Sequence, residues 1–389
     1  MPEPRKQHHV FRFDQMAVQV KDKVDPADAN VDRYVGLEHI DPESLKIRRW
    51  GKPCDVESSK IAFKSGDIIF GKRRAYQRKL AIADFDGICS AHAMVLRPRT
   101  DVVLEGFLPF FMQSDIFMDR AVKISVGGLS PTINWKDLAK EEFALPPLEE
   151  QRRIVRVLGA VTPVEEKLYA LREAAELVWL AAIERMIASQ SSEQQELDAL
   201  LSDIQPGKSL PGTTRAPKTG EKAVLKVSAV NPKGFLPNES KALLDQAGFV
   251  TQHSVRKGDL LITRANTADL VGATCLVQSD YPNLMLCDKT LRLVPRDGVD
   301  PKILWHALQS RSVRRQIASV ATGTGAAMKN LSQSKIRRLN IALPRDASTS
   351  SKTRLLLDWC WESSSDVTCR LQAIREVRNA LLARSLEEI

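Results

Sequence analysis

The chain has six cysteines among 389 residues, and no two of them form a Cys-x-x-Cys pair. Cys54, Cys89, Cys275, Cys287, Cys360 and Cys369 are scattered, which argues against a disulfide framework and against a cysteine zinc site. Buried or half-buried free thiols in a reducing compartment are expected. The six histidines (His8, His9, His39, His92, His253 and His306) show no HExxH or other ligand spacing, so no metal is assigned. His92 follows Cys89 closely, and the pair is read as core packing rather than a nucleophile and its base. No apolar run reaches the roughly 18 residues of a membrane span. The opening "MPEPRKQHHVFRF" has no apolar core of signal-peptide length, so a cytoplasmic protein without a membrane partner is expected. Glycine and proline are not enriched, and no large disordered part is forced. No Walker loop occurs. "GTGAAM" at Gly323 lacks the third glycine of a dinucleotide fingerprint, and "NPKG" at Asn231 lacks the prolines and aromatic of an amino-methylating site. No catalytic residue and no cofactor are assigned. The chain reads as a binding protein.

What the sequence does have is a basic surplus and a repeat. The formal net charge is +9, which favours a polyanionic partner. "KSGDIIF" (64–70) answers to "RKGDLLI" (256–262), and "MVLRP" (94–98) to "LRLVP" (291–295). "LPFFMQS" (108–114) matches "LWHALQS" (304–310), "FALP" (143–146) matches "IALP" (341–344), and "KLYALREA" (167–174) matches "RLQAIREV" (370–377). All five pairs fall in the same order. Each half therefore has one plan: an α/β region, then Leu-Pro, then helix.

Within each α/β region, "GDIIF" and "GDLLI" read as strands introduced by a Gly-Asp turn. "HAMVLRP" and "KTLRLVP" read as strands closed by proline. "PFFMQSDIFMDRAVKI" and "DPKILWHALQSRSVRRQIASV" read as helices, each followed by a Gly-rich loop. After the first region, "ALPPLEEQRRIVRVLGA" reads as a short helix. A long one then starts at Thr162, with Pro163 in its first turn and Glu165 completing a capping box. Val164, Leu168, Leu171, Ala175, Val178 and Ala182 give that helix alternating steps of four and three, the coiled-coil spacing. The last helix is expected from about residue 365 to 389. It carries Val367, Leu371, Ile374, Val377, Leu381 and Leu382, with Arg378 where a strict heptad wants an apolar side chain. Two such stripes can bury one another in antiparallel about a pseudo-twofold axis. A helix of about 25 residues is a rod of roughly 38 Å, or about 11 base pairs of duplex. The alternative is that each helix packs only onto its own α/β region.

The basic residues crowd near the first Gly-Asp strand: Lys60, Lys64, Lys72, Arg73, Arg74, Arg78 and Lys79 against Asp67 alone, with Tyr76 among them. That texture suits a nucleic-acid surface. The equivalent loop in the second half, "TRANTADLVG", offers Thr263, Arg264, Asn266 and Thr267. Arginine can pair bidentately with guanine and asparagine with adenine in the major groove. Lys289, Lys329 and Arg337 are candidate phosphate contacts that set position without reading bases. Gly127, Gly128, Gly323 and Gly325 are candidates for close approach to the DNA backbone.

"GGLSPTINWKDLAKEEFALPPLEEQRRI" (127–154) resembles the junction between target-recognition domain and conserved helix in specificity (S) subunits of type I restriction–modification systems. Lys136, Asp137 and Leu138 carry the helix start, and residues 145–154 carry the Leu-Pro-Pro-Leu-Glu-Glu-Gln-Arg-Arg-Ile run. "RYVGLEHIDPESLKI" near the start has the same flavour. The second copy departs from the pattern. In "LPRDASTSSKTRLL" (343–356) only Leu343, Pro344, Lys352 and Arg354 echo it.

The resemblance implies an α/β protein with two tandem target-recognition domains in pseudo-twofold arrangement, separated by two long antiparallel helices forming a coiled coil. The expected boundaries are 1–146 and 191–344 for the domains, and 147–190 and 345–389 for the helical regions. It also implies a subunit without catalytic activity that reads a bipartite site in double-stranded DNA. Two methylation subunits would dock on it and hold S-adenosylmethionine, and a restriction and translocation subunit would complete the complex. Leu145, Pro146, Pro147, Leu148, Glu149, Glu150, Gln151 and Arg152 are the expected partner contacts. A non-catalytic assembly scaffold, or the specificity subunit of a lone methyltransferase or related defence system, is the alternative reading.

Overall fold

The computed structural model describes residues 9–128, 130–189, 192–213, 215–323, 328–345 and 347–387. The chain forms two compact units: Met1–Tyr169 with Cys369–Ile389, and Ala170–Thr368.

In the first unit a four-stranded sheet is ordered Ala17–Val20, Ala93–Pro98, Ile68–Gly71, Leu80–Ile82. In the second unit the corresponding order is Leu201–Pro206, Thr290–Pro295, Leu260–Thr263, Thr274–Leu276. Both sheets are antiparallel throughout. Side chains alternate faces along a strand, so a continuous apolar run must be buried on both sides. That is what happens. Ile68 and Phe70 join the core under the helices, whereas Ile69 between them joins a second core toward a smaller sheet. Leu260 and Ile262 face the helical core of the second unit, and Leu261 faces away from it. The Gly-Asp turns match in detail. Asp67 Oδ2 accepts from the Lys64 amide at 2.8 Å, and Asp259 Oδ2 from the Arg256 amide at 2.9 Å. Gly66 and Gly258 take φ of 91° and 87°, the left-handed region open to glycine.

The helices differ from the sequence expectation in three respects. First, each helical stretch at the end of an α/β region is broken in two: Phe107–Gln113 and Asp115–Lys123, then Pro301–Leu308 and Arg311–Val320. Ser114 and Ser310 cause the break. Each turns extended and caps the following helix, accepting from the amide of Phe117 or Val313.

Second, no helix begins at Thr162. One helix, α1 (Leu148–Ile187), runs straight through Pro163. Thr162 Oγ1 donates back to the Leu158 carbonyl at 3.3 Å instead of capping. Proline has no amide proton to give, so the turn there is held by burial on either side, Ile154 and Leu158 before it and Glu165 and Tyr169 after it. The last helix, α2 (Ala347–Glu387), starts well before residue 365. Its serine-rich first half has weak helix propensity, yet Leu357, Cys360 and Ser364 are buried along one face.

Third, the heptad register is one residue out on α1, whereas on α2 the expected Val367, Leu371 and Leu382 are buried and Arg378 itself holds the heptad place. Val164, Leu171 and Val178 point outward, whereas Glu165, Tyr169, Trp179, Ile183 and Met186 are buried. On α2, Val377 is 56% exposed and Arg378 only 3%. The seam follows the four-three rhythm through Leu357, Cys360, Ser364, Val367 and Leu371 to Arg378. In the first unit the early part of α1 meets the late part of α2: Ile154 and Leu158 share a core with Leu382 and Leu386, and Arg378 Nη1 donates to Glu165 Oε2 at 3.0 Å. In the second unit the late part of α1 meets the early part of α2, with Trp179, Ile183 and Met186 beside Leu357 and Cys360. The two helices are therefore packed antiparallel. They also contribute to the core of each α/β region, so the two packing alternatives of the sequence reading coexist.

All six cysteines are free. Cys89, Cys275, Cys287 and Cys360 are buried, but Cys54 and Cys369 are exposed, contrary to expectation. Burial pushes the Cys89 thiol up to about 12, so it stays protonated. Among the described residues no helix is long and apolar enough to cross a membrane.

Candidate nucleic-acid interface

In each unit three loops that are distant in sequence meet at one edge of the main sheet. In the first unit they are the basic loop after Gly71, the turn at His92 and the Gly-rich loop. The amides of Lys72 and Arg73 donate to the His92 carbonyl at 3.1 and 3.3 Å. The Ile133 amide donates to the Lys72 carbonyl at 3.0 Å, and the Arg74 amide to Pro131 at 2.7 Å. In the second unit the same bonds recur. The Arg264 amide donates to the Lys289 carbonyl at 2.9 Å, and the Leu331 amide to the Arg264 carbonyl at 2.8 Å. Lys72 thus corresponds to Arg264, Arg73 to Ala265 and His92 to Lys289.

Both Gly-rich loops are closed by a bridge, Val126 to Thr132 and Thr322 to Asn330. Gly127 and Gly323 follow with φ of 114° and 145°. A Cβ on Gly323 would meet the Met328 carbonyl oxygen at 2.5 Å, so only glycine fits. Gly128 is exposed beside Gly127. Gly325 lies outside the described residues.

The loops carry different side chains. Arg73, Arg74 and Tyr76 project in the first unit, Tyr76 being exposed. Arg74 and Arg78 both have positive φ, 56° and 52°, around the turn that presents Tyr76. Such strain in non-glycine residues tends to accompany functional loops. Lys72 is half-buried, and burial pushes its ammonium pKa down. In the second unit Arg264, Asn266, Thr267, Lys289 and Lys329 share the surface. The Asn266 Oδ1 accepts from the Thr267 amide at 2.8 Å, and Lys329 Nζ donates to the Gly323 carbonyl at 2.9 Å.

Several sequence candidates are spent on the fold. Thr263 is fully buried; its hydroxyl donates to the Leu270 carbonyl at 2.8 Å and accepts from the Ala273 amide at 3.2 Å. Arg78 pairs with Asp115 at 2.7 Å and donates to the Gln113 carbonyl. Lys79 Nζ is tied to the Leu37 carbonyl at 2.6 Å, Lys60 is buried against Ser58, and Arg337 pairs with Asp198. These groups hold loops in place rather than projecting from them.

The Leu-Pro-Pro run divides in the same way. Leu145 is buried in a two-stranded ribbon with His9. Pro146 is also buried. Gln151 is buried with its Oε1 accepting from the Leu104 amide at 2.9 Å and its Nε2 donating to the Pro146 carbonyl at 3.0 Å. That side chain pins the start of α1 to the α/β region. Pro147, Glu149 and Arg152 remain exposed, with Leu148 and Glu150 half-buried.

Sequence reasoning missed His92. It is exposed and not part of the core with Cys89. Its Nε2 faces Arg73 Nη1 at 3.2 Å, and Ser130 Oγ lies 3.4 Å from Arg73 Nη2 and 3.2 Å from Arg74 Nε. The repeat held the signal, since His92 stands where the second half has Lys289. A buried aromatic cluster in the second unit was also missed. Trp179, Trp305 and Trp361 surround His306, and Trp179 Nε1 donates to His306 Nδ1 at 3.0 Å. Among the described residues no group of His, Cys, Asp and Glu is arranged to hold a metal ion.

Residues 54–170, which contain the basic loop and the first Gly-rich loop, match the type I restriction modification DNA specificity domain. The EcoDI type I restriction enzyme specificity subunit of Escherichia coli is 34% identical over 38% of this chain and 33% of that protein. The EcoKI specificity subunit of Escherichia coli strain K12 is 23% identical over 78% of this chain and 66% of that protein. The match therefore spans a third of the EcoDI protein's length and just under two thirds of the EcoKI protein's. A crystal structure of a type I restriction-modification S subunit from M. genitalium has the same fold, with a TM-score of 0.52 at 13% identity over 99% of this chain and 98% of that one. The chain thus carries a match to a DNA specificity domain on a fold of two α/β regions and a helix pair. By these matches the chain is similar to the specificity (S) subunits of type I restriction–modification systems.

Proposed function

We propose that this chain reads a split site in double-stranded DNA, one half through Arg73, Arg74 and Tyr76 and the other through Arg264, Asn266 and Thr267. What supports the reading above all is that one scaffold presents two loop surfaces with the same backbone bonds and different side chains. A protein that reads two unlike half-sites needs that arrangement. The helix pair sets the spacer between them. Two methylation subunits and a restriction and translocation subunit dock on the chain in the cytoplasm. Pro147, Glu149 and Arg152 at the start of α1 are one contact. The outward apolar residues Leu171, Leu177 and Val178 on α1, and Leu355, Leu356 and Trp359 on α2, are suited to cover by protein.

The test is selection from a pool of randomised duplexes by the chain with its methylation partners. A split motif is expected. Arg264→Ala should relax one half by about 1–3 kcal/mol and leave the other intact. Binding that is insensitive to salt would exclude phosphate contacts and favour the protein-scaffold reading.

A further inference from the structure

The contact between Arg73 and His92 has no counterpart in the second unit, where Ala265 and Lys289 occupy the same two places. The guanidinium of Arg73 is held from two sides, Nη1 by His92 Nε2 at 3.2 Å and Nη2 by Ser130 Oγ at 3.4 Å. Arginine can only donate, so His92 Nε2 must be the unprotonated ring nitrogen for the bond to form. A free arginine side chain samples many rotamers. One that is clamped in a loop can meet a flat acceptor pair such as the O6 and N7 edge of guanine without first being ordered.

On the reading above, we propose that His92, with Ser130, is a positioning residue that presents Arg73 to the first half-site, so that recognition of this half alone depends on His92 being neutral. The titratable groups facing His92 are Lys72 and Arg73; among the described residues the Gly-rich loop contributes only Ser130. Burial first, then the charges of Arg73 and Lys72, push the imidazole pKa below its ordinary value. His92 is therefore neutral at neutral pH and the clamp is set. Acid protonates Nε2, adds a third cation to Arg73 and Lys72 and releases Arg73. The second unit has no titratable acceptor at this place and serves as an internal control.

The experiment is duplex selection by the full chain with its methylation partners at pH 8 and at stepwise lower pH, using wild type, His92→Ala and His92→Gln. Glutamine keeps an acceptor oxygen and does not titrate. At pH 8 the His92→Ala variant should lose preference at one or two positions of one half-site by about tenfold, the low end of a lost bidentate base contact. The other half should be unchanged, and His92→Gln should restore the preference. Wild type should lose the same positions as pH falls through the lowered imidazole pKa, and His92→Gln should not. Unchanged half-sites in His92→Ala would overturn the proposal. So would acid that tightens binding to all sequences equally, because His92 would then be a phosphate contact. Failure to select any motif would instead remove the DNA reading itself, and the proposal with it.

Discussion

Replacing Arg378 with alanine should destabilise the protein by about 3–5 kcal/mol, as expected for removing one partner of a buried ion pair. The magnitude can be built from its surroundings. Arg378 is 3% exposed and Glu165 is 8% exposed. The guanidinium donates to Glu165 Oε2 at 3.0 Å and to the Glu43 carbonyl at 2.9 Å. Burial already raises the Glu165 pKa, and Arg378 is the strongest opposing influence. Without it the carboxylate is buried with its principal counter-charge gone. Its cheapest escape is to take a proton, which at pH 7 costs about 3 kcal/mol at 1.36 kcal/mol per unit. Loss of the bond to the Glu43 carbonyl adds about 1 kcal/mol. The sign with pH follows. Below the ordinary carboxyl range, where Glu165 is protonated folded or unfolded, only the pH-independent loss of the Glu43 bond remains. The deficit grows as pH rises and is complete above the raised folded-state pKa. Urea unfolding followed by circular dichroism at pH 7 and pH 5 measures both the size and the slope. The double variant Glu165→Leu/Arg378→Leu should recover most of the loss, since no charge is then buried. A deficit under 1 kcal/mol that does not change with pH would refute the reasoning and place the pair in solvent.

Pro163→Ala should stabilise the chain by about 1–3 kcal/mol, because proline inside a helix costs about 3 kcal/mol relative to alanine; an unchanged unfolding midpoint would mean that α1 is already broken there. Thr263→Val removes two buried hydrogen bonds and should cost about 1–3 kcal/mol, yet leave the selected DNA motif unchanged; a changed motif would put Thr263 back among the readers. His306 accepts from Trp179 and faces Asp358 Oδ1 at 3.1 Å through Nε2, so it is held neutral. Burial lowers its pKa, so its contribution is complete above 6.5 and lost as pH falls below that value. The thermal midpoint should drop over that interval, and His306→Gln, which cannot titrate, should flatten the slope.

Much of the fold was legible because a repeat compares a sequence with itself. The Gly-Asp strands, the Leu-Pro junctions and the paired helices recur in order, and the structure builds both copies from the same turns and the same sheet. The Gln-Ser step was legible as a match but not as a break, because serine is neutral within a helix and decisive only as a cap. The Leu-Pro-Pro-Leu-Glu-Glu-Gln run was legible as a motif. That Gln151 faces the Leu104 amide, while Glu149 and Arg152 face out, depends on which side of α1 meets the α/β region.

The amino-acid order alone determined the two-copy plan, the apolar strands buried on both faces and the seven-residue rhythm of α1 and α2. Each of these is periodic, and periodicity is a local property. The tertiary structure decided which of two adjacent stripes became the helix seam. On α1 it chose the stripe with Glu165 over the more apolar one with Val164, and on α2 it kept Arg378 in the heptad place between Leu371 and Leu382. An arginine is expelled from a seam unless a carboxylate lies across from it, and that partner is 213 residues away in the chain. The same holds for His92 and Arg73: their bond exists only because two loops meet at one sheet edge, a distance that no local pattern records.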